Sequence, residues 1–135
     1  MAVEEALYSI SLAADASIGI YTGVPGQPGS PQPNSGMQYR FVKVTGKLQA
    51  GLSTDSSDTQ IGVLQSKPQQ PGAAATIGVW GITLLTAGAA VNPGDLVTAD
   101  SQGRGIKATV DGEEAAVALT ASANAGELIS VLLKM

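Results

Sequence analysis

The chain has 135 residues and a formal net charge of −4, and its length fits one compact domain with an appendage. Its seven Lys and Arg residues are spread along the chain, so we expect no basic face for nucleic-acid binding. Because the chain contains neither cysteine nor histidine, it has no thiolate nucleophile and lacks two common metal ligands, and no metal or other cofactor is expected. With 17 glycines and 4% aromatic residues, the composition favours an all-β architecture.

The N-terminal region combines a strand pattern with a proline-rich stretch. In the segment ALYSISL, the side chains of Tyr8, Ile10 and Leu12 alternate with serines, which predicts a β-strand. Four of the seven prolines follow in residues 24–36, a composition typical of an extended arm. A single strand is not stable in isolation, so it must pair with its own domain, a sister subunit or a foreign surface.

The few large aromatic side chains are candidates for the core or for an interface. Tyr39, Phe41 and Trp80 lie in strand-like segments, where core packing is the favoured interpretation. Interface anchoring is the alternative, since Trp and Tyr are frequent in binding hot spots. Tyr21 flanks the proline-rich stretch, which has little core of its own, and is the stronger anchor candidate. The predicted interface residues are Tyr8, Ile10, Leu12, Tyr21, Val24, Pro25 and Trp80.

From Met37 onward the sequence is typical of short strands joined by turns, as in a small β-barrel or sandwich. We therefore divide the chain into an N-terminal strand with an extended arm, residues 1–36, and a β-rich domain, residues 37–135. The predicted strand segments are QYRFVKV, IGVL, ATIGVWGITLL, DLVTA, GIKATV, AVALTA and ELISVLLK.

Residues 73–91 form an uncharged segment that is long enough to cross a bilayer. Its glycines at positions 78, 81 and 88 would interrupt a helix, and no Lys or Arg cluster flanks it to set a topology. Two or three buried strands are predicted here instead, and no membrane partner is expected. The N-terminus also lacks the basic and apolar regions of a signal peptide.

The segment VNPGDLVTADSQGRGIKA concentrates charged residues, but turn chemistry explains them. Asn92–Asp95 has Pro and Gly at the two central positions of a type II turn, and Asp100–Gly103 has the Asp and Gly preferences of a type I turn. Strand-like segments flank the second turn, so a hairpin is predicted rather than a charged active site. The Gly-Arg-Gly at 103–105 lacks the strand and helix context of a phosphate-binding loop.

The segment DGEEAAVALTASANAG is compatible with either a helix or a strand. Asp111 and Glu114 have the spacing of a helix capping box, ahead of an alanine-rich run. Val117 and Leu119 alternate as in a strand, and Asp111-Gly112 is a hairpin turn signal. Strand is the favoured interpretation.

Few residues could support catalysis. Ser66-Lys67 has the composition of a Ser–Lys dyad, but adjacency in sequence does not provide the required hydrogen-bond geometry. Residues 54–60 offer carboxylates and hydroxyls for Ca²⁺, yet they lack the spacing of a known calcium loop, so a solvated loop is favoured. The chain is therefore not expected to be an enzyme, and a hydrolase using Ser and carboxylates is the weakest hypothesis.

Residues 61–133 resemble the head-decoration, or capsid cement, proteins of tailed bacteriophages. The resemblance rests on the IGVL strand, a V-x-G-I strand at Val79–Ile82, the pattern A-G-x-x-V-x-x-G-D-x-V-T-A-D at Ala87–Asp100, Gly103-Arg104, and the closing AGELISVLL. It implies a β-rich virion protein on the outer surface of the head, commonly a homotrimer. Such a protein bridges major capsid subunits against internal DNA pressure, and the family has no catalytic residues to carry over.

A binding module is the alternative function. In that case the chain is a head-fibre or adhesion-type domain that recognises host-surface glycans, with Trp80 or the loop tips as the platform. Tight binding to a shell without binding to glycans would exclude this alternative.

Overall fold

The computed structural model describes residues 5–19 and 37–133, and within them the regular structure is all-β, as predicted. Nine strands in these ranges form one sheet. They are β1 (Glu5–Ala14), β2 (Phe41–Gly46), β3 (Gln49–Leu52), β4 (Gly62–Leu64), β5 (Ala74–Thr86), β6 (Leu96–Ala99), β7 (Gly105–Lys107), β8 (Ala116–Ala118) and β9 (Leu128–Leu133).

Five of the strands close into a small barrel. Strands β1, β3, β2, β4 and β5 are neighbours in that order, and β1 returns to pair with β5. The β1–β5 pairing is antiparallel, and its register includes Tyr8↔Trp80 and Ala13↔Ala74. On its other side β1 meets β3 in parallel at Ala13 and Ala14. Strand β1 thus pairs with its own domain, which is one of the three partners that the sequence leaves open.

The remaining strands extend the sheet from β5 in the order β9, β8, β6 and β7. Strands β6 and β7 form the predicted hairpin. In the turn before it, Gly94 has a φ of 91°, as a type II turn requires at its third residue, and the Asp95 N–H donates to the Asn92 carbonyl at 3.1 Å. Within the hairpin, the Gly103 N–H closes the second turn on the Asp100 carbonyl at 3.2 Å.

The prediction of two or three strands in residues 73–91 is wrong, because the single 13-residue strand β5 covers most of them. Gly81, with a φ of 112°, and shifts in the β1–β5 register interrupt the regular pleat without ending the strand. The N-terminal part of β5 therefore belongs to the barrel, while its C-terminal part pairs with β9. Among the residues that the structure describes, there is no helix with the length and apolar character that a membrane span needs.

The segment after β7 forms the predicted turn at Asp111-Gly112, but the prediction that this turn joins a hairpin is wrong. Gly112 has a φ of 89°, and the Glu113 N–H donates to the Val110 carbonyl at 3.3 Å. The flanking strands β7 and β8 do not pair with each other, because β6 lies between them. The strand interpretation of the following segment is confirmed over the three residues of β8.

The core consists of two clusters of mainly aliphatic side chains. Its largest fully buried members are Phe41, Ile18, Leu64, Ile77, Leu85 and Ile129. Core packing is confirmed for Phe41, and the partly buried Tyr39 packs against the same cluster. One cluster lies among the barrel strands, and the other lies mainly among the strands that extend the sheet.

Candidate interaction surface

The side chains of Tyr8 and Trp80 lie against each other where β1 pairs with β5. Their ring centroids are 5.3 Å apart and their planes are tilted by 30°, within the range at which aromatic side chains attract. Tyr8 is 64% exposed and Trp80 is 54% exposed. The favoured core interpretation is therefore wrong for Trp80. Since Trp side chains are highly buried on average, an exposed aromatic pair indicates a surface for a partner.

The other predicted interface residues fall into three groups. Ile10 is 42% exposed on the same strand as Tyr8. Leu12 is half-buried and packs against the second core cluster. Tyr21, Val24 and Pro25 lie outside the described residues.

An apolar row crosses four strands of the sheet. The register pairs Leu96 with Val117, Val117 with Leu132, and Leu132 with Ile82. Paired residues point to the same face of a sheet, so the four side chains form a line from β6 to β5. Leu96 and Leu132 are exposed, and the other two are half-buried. The sequence alone does not reveal this row, because the strand register that assembles it is not a local pattern.

The aromatic pair and the apolar row both involve β5, where Trp80 precedes Ile82 by two residues. We call them together the apolar surface; its six residues are Tyr8, Trp80, Ile82, Leu96, Val117 and Leu132. None of these side chains carries a charge. Exposed apolar side chains that share one region mark protein–protein contact sites, whereas scattered single ones do not.

Asp100 and Arg104, the charged residues at the turn of the β6–β7 hairpin, pair with each other. The Asp100 carboxylate accepts hydrogen bonds from the Gln102 N–H at 2.8 Å and from the Arg104 N–H and Nε at 2.9 and 3.0 Å. Arg40, the residue before β2, donates through Nη1 to the Gln102 carbonyl at 2.9 Å and so ties the start of β2 to the turn. Burial and then the charge of Arg104 lower the pKa of Arg40, while Asp100 acts in the opposite sense. These contacts confirm that the charges serve a turn.

The predicted solvated loop at residues 54–60 also uses its carboxylates internally. Asp58 accepts hydrogen bonds from Lys43 Nζ at 3.0 Å and from the Thr54 N–H at 3.0 Å. Burial by itself would raise the pKa of Asp58, but these hydrogen bonds and the charge of Lys43 lower it below its ordinary value. Asp55 accepts the Ser57 N–H at 3.0 Å. Across the described residues, no three His, Cys, Asp or Glu side chains gather as metal ligands would.

Asp15 holds the end of β1 against the β2–β3 hairpin. Its carboxylate accepts hydrogen bonds from the Ser17 N–H and Thr45 Oγ1, both at 2.8 Å. The Ser17 hydroxyl in turn accepts the Leu52 N–H at 2.7 Å. Burial by itself would raise the pKa of Asp15, but the hydrogen bonds from Ser17 and Thr45 lower it. This cluster fixes the position of β1 in the barrel.

Two further places show no built site. A polar depression of about 200 Å³ lies between residues 56–60 and residues 112–115, and its acidic side chains are Asp58, Glu113 and Glu114. The Asp58 carboxylate is paired with Lys43, and the Glu114 carboxylate accepts the Gly112 N–H at 2.9 Å. The Ser66 hydroxyl accepts the Thr76 N–H at 3.0 Å and so anchors the start of β5. Both places therefore serve the fold.

Comparison with known proteins identifies a family and a fold. The family model for phage cement proteins matches residues 38–134. Among solved structures that match, the N base of the head fibre protein gp8.5 of bacteriophage phi29 has a TM-score of 0.62 at 13% identity. The alignment covers 95% of this chain and 94% of that chain, and at this identity the likeness shows the fold alone. No curated protein matches the sequence.

Proposed function

The chain belongs to the phage cement protein family, and we propose that it binds the outer surface of a phage head and stabilises contacts between major capsid subunits. Its role is structural rather than catalytic, and its place is in the virion. The family match over residues 38–134 includes Trp80 and the whole apolar row, so the proposed contact surface belongs mainly to the family domain.

The observation that carries this proposal is the apolar surface. Exposed Tyr8, Trp80 and Leu132 contribute little to folding, because the hydrophobic effect acts when apolar area leaves water. Full burial of one large apolar side chain is worth about 1.5–3 kcal/mol. Interfaces concentrate their binding energy in residues such as Trp and Tyr, so this surface is suited to a protein partner.

Binding of this kind stabilises a shell because the binding free energy favours the assembled state. A protein that binds the assembled shell, and not its separated subunits, shifts the equilibrium towards the assembled state. The row runs across four strands rather than along one of them, so it offers a broad contact that could span a junction between two subunits.

The test measures binding to phage heads that lack the protein. Co-sedimentation compares the wild-type chain with Trp80→Ala and Leu132→Ala, and Val110→Ala serves as the control because Val110 is 53% exposed in the turn before β8. We expect Trp80→Ala to weaken binding at least tenfold, since hot-spot residues contribute about 2 kcal/mol or more. Wild-type affinity in both surface variants would overturn the proposed contact surface.

The same proposal includes a homotrimer. A small β domain presents strand edges and apolar side chains, and closed cyclic symmetry can cover them. Light scattering after size exclusion should give three times the chain mass of 13.5 kDa. A monomer at all concentrations would contradict the trimer and leave the capsid as the sole partner of the apolar surface.

The exposed aromatic pair also favours a second candidate, a head-fibre or adhesion-type module that binds host-surface glycans. Two adjacent aromatic faces at Tyr8 and Trp80 offer a platform for a ring-shaped ligand. A glycan array on which the wild-type chain binds and Trp80→Ala does not would support this function. An array without binding, for a protein that binds heads, would exclude it.

A further inference from the structure

Core packing holds β1 mainly at its C-terminal end. Ala14 at the end of the strand and Ile18 just beyond it are buried in the second core cluster. In contrast, every residue in the stretch 8–11 is exposed. Side chains alternate between the two faces of a strand, so neither face of this stretch packs into the core. We call residues 8–11 the exposed stretch of β1.

The partners of the exposed stretch on β5 add little to fix its register. Ser9 lies opposite Gly78, and Ser11 lies opposite Thr76. The larger Ile10 remains 42% exposed. Strand register is strongly specified where one face is buried and weakly specified in polar or glycine-rich pairings. The register of the exposed stretch must therefore be set from the C-terminal end of β1.

Asp15 supplies directional contacts at that end. Its N–H donates to the Ala50 carbonyl at 2.8 Å, and its carboxylate accepts the Ser17 N–H and Thr45 Oγ1, both at 2.8 Å. Apolar burial is non-directional, whereas a hydrogen bond weakens steeply when its donor and acceptor are misaligned. Hydrogen bonds to an ionised group are also the stronger ones. Asp15 thus fixes β1 along its own axis against the β2–β3 hairpin.

The backbone of β3 leaves room for this carboxylate at one position. A Cβ at Gly51 would overlap with Asp15 Oδ2 and lie 2.8 Å from Thr45 Cγ2. Glycine allows a backbone to approach a neighbouring group this closely. A displacement of β1 along its axis would remove the carboxylate from this space and from its hydrogen-bond donors.

The contact between the two aromatic rings depends on the same register. The pairing of β1 with β5 is regular from Ser9 to Ala13, and Tyr8 lies opposite Trp80 just beyond a register shift. A slip of one residue would turn Tyr8 to the other face of the sheet. A slip of two residues would move it by about 7 Å, which is more than the 5.3 Å between the ring centroids.

We propose that Asp15 is a positioning residue, which sets the register of β1 on β5 and so holds Tyr8 against Trp80. The two ends of this connection are roughly 20 Å apart along the strand, so Asp15 acts through β1 and not by contact with the rings. The register is a property of the free chain and can be measured without a partner. Only the consequence for binding to a phage head rests on the proposed function.

Disulfide trapping measures the register directly, because the chain has no cysteine of its own. The Ala14 N–H donates to the Ala73 carbonyl, so the alternation of an antiparallel ladder makes Ser11 and Thr76 a non-hydrogen-bonded pair. Their Cα atoms are then about 4.5 Å apart, which suits a disulfide. Ser11→Cys with Thr76→Cys reports the described register. Ser9→Cys with Thr76→Cys reports a slip of two residues.

The slipped pair should cross-link slowly in the otherwise wild-type chain. Asp15→Asn should raise its rate of cross-linking about tenfold, because strong directional hydrogen bonds are lost. Asp58→Asn is the matched control, since the hydrogen bonds to Asp58 come from Lys43, Ser53 and Thr54 and involve no residue of β1. An unchanged rate in Asp15→Asn, or an equal rise in both variants, would overturn the inference.

Trp80 is the sole tryptophan of the chain, so its fluorescence gives a second measurement without introduced cysteines. Tyr8→Ala uncovers the indole and provides the reference shift to longer wavelength. Asp15→Asn should shift the emission in the same direction. If Asp15→Asn does not fold, Thr45→Val decides the question, because it removes a single hydrogen bond to Asp15. Slipped cross-linking and emission that both stay at wild-type values in Thr45→Val would contradict the role of Asp15.

Binding to heads that lack the protein tests the consequence for the proposed function. Asp15→Asn should weaken binding in the wild-type chain and have no further effect in a chain that carries Tyr8→Ala, because Asp15 acts through Tyr8. An equal loss in both chains would overturn action through Tyr8. A changed register with unchanged binding would support the inference and remove Tyr8 from the proposed contact surface.

Discussion

The β6–β7 hairpin and the β1–β5 pair differ in how their side chains and edges meet water. In the hairpin, Asp100 is satisfied by its own turn, and the β7 edge is covered at Gly105 and carries Lys107. In the β1–β5 pair, Tyr8 and Trp80 are exposed, and their ring centroids lie 5.3 Å apart at the surface. The hairpin is complete within the monomer, whereas the β1–β5 pair has the features of a surface that a partner completes.

The largest expected difference in stability lies between a substitution in the core beside the hairpin and one in the exposed aromatic pair. Phe41 is fully buried, and its N–H donates to the Gly103 carbonyl in the hairpin turn. Phe41→Ala should lower the free energy of unfolding by about 3–5 kcal/mol. Trp80→Ala should lower it by about 1 kcal/mol or less, because Trp80 is half in water already. Urea unfolding of both variants measures the difference, and equal losses of stability would show that Trp80 is as important to the fold as Phe41.

The next effect tests how tightly the hairpin turn packs. Gly103 and Gly94 both have positive φ, but a Cβ at Gly103 would lie 2.5 Å from Leu52 Cδ1, and one at Gly94 would meet nothing within 4 Å. Gly103→Ala should therefore cost about 2–3 kcal/mol, and Gly94→Ala about 1 kcal/mol. Thermal unfolding of the two variants provides the measurement. A larger loss at Gly94 would show that the turn is not packed as described.

A smaller effect depends on pH. The pKa of Asp58 lies below its ordinary value of 3.8, so its carboxylate contributes stability that is present above about pH 4 and is lost as the pH falls through the lowered value. Asp58→Asn should cost about 1 kcal/mol at pH 7, because hydrogen bonds from Lys43 and Thr54 weaken. Unfolding at pH 7 and pH 2.5 should show the gap between wild type and variant narrowing in acid; a constant gap would contradict the role of the charge.

The smallest effect should have the opposite sign. Leu48 is 71% exposed and has a φ of 51°, which leucine rarely adopts, whereas asparagine tolerates positive φ. We expect Leu48→Asn to raise the free energy of unfolding by about 0.5–1 kcal/mol. Lys47→Asn, at the adjacent exposed position, is the control, and urea unfolding provides the measurement. Lower stability of Leu48→Asn would show that the leucine side chain serves the fold.

Local patterns in the sequence predict the parts of the fold that local physics determines. Alternation of Tyr8, Ile10 and Leu12 with serines predicts β1, and the Pro-Gly and Asp-Gly preferences predict the turns at Gly94 and Gly103. Strand β3 has the sequence QAGL, which contains no β-branched residue, and no local pattern indicates it. Its position follows from pairing with β2 and β1.

Non-local register explains what the sequence did not reveal about the site. The turn at Gly112 forms as predicted, but β6 separates the flanking strands, so the turn does not make a hairpin. The row of Leu96, Val117 and Leu132 joins residues that are far apart in sequence and share no local period. The sequence places Tyr8 among the interface candidates because its strand needs a partner, and Trp80 because large aromatic side chains are scarce in this chain, although the sequence favours core packing for Trp80.

A chain that stabilises a phage head from outside should raise the temperature at which that head melts. The most direct measurement is the melting temperature of heads that lack the protein, before and after saturation with the full chain. We expect a higher melting temperature with the wild-type chain, and a smaller rise with Trp80→Ala at the same concentration. Heads that are saturated with the protein and melt at an unchanged temperature would show that the chain does not stabilise them.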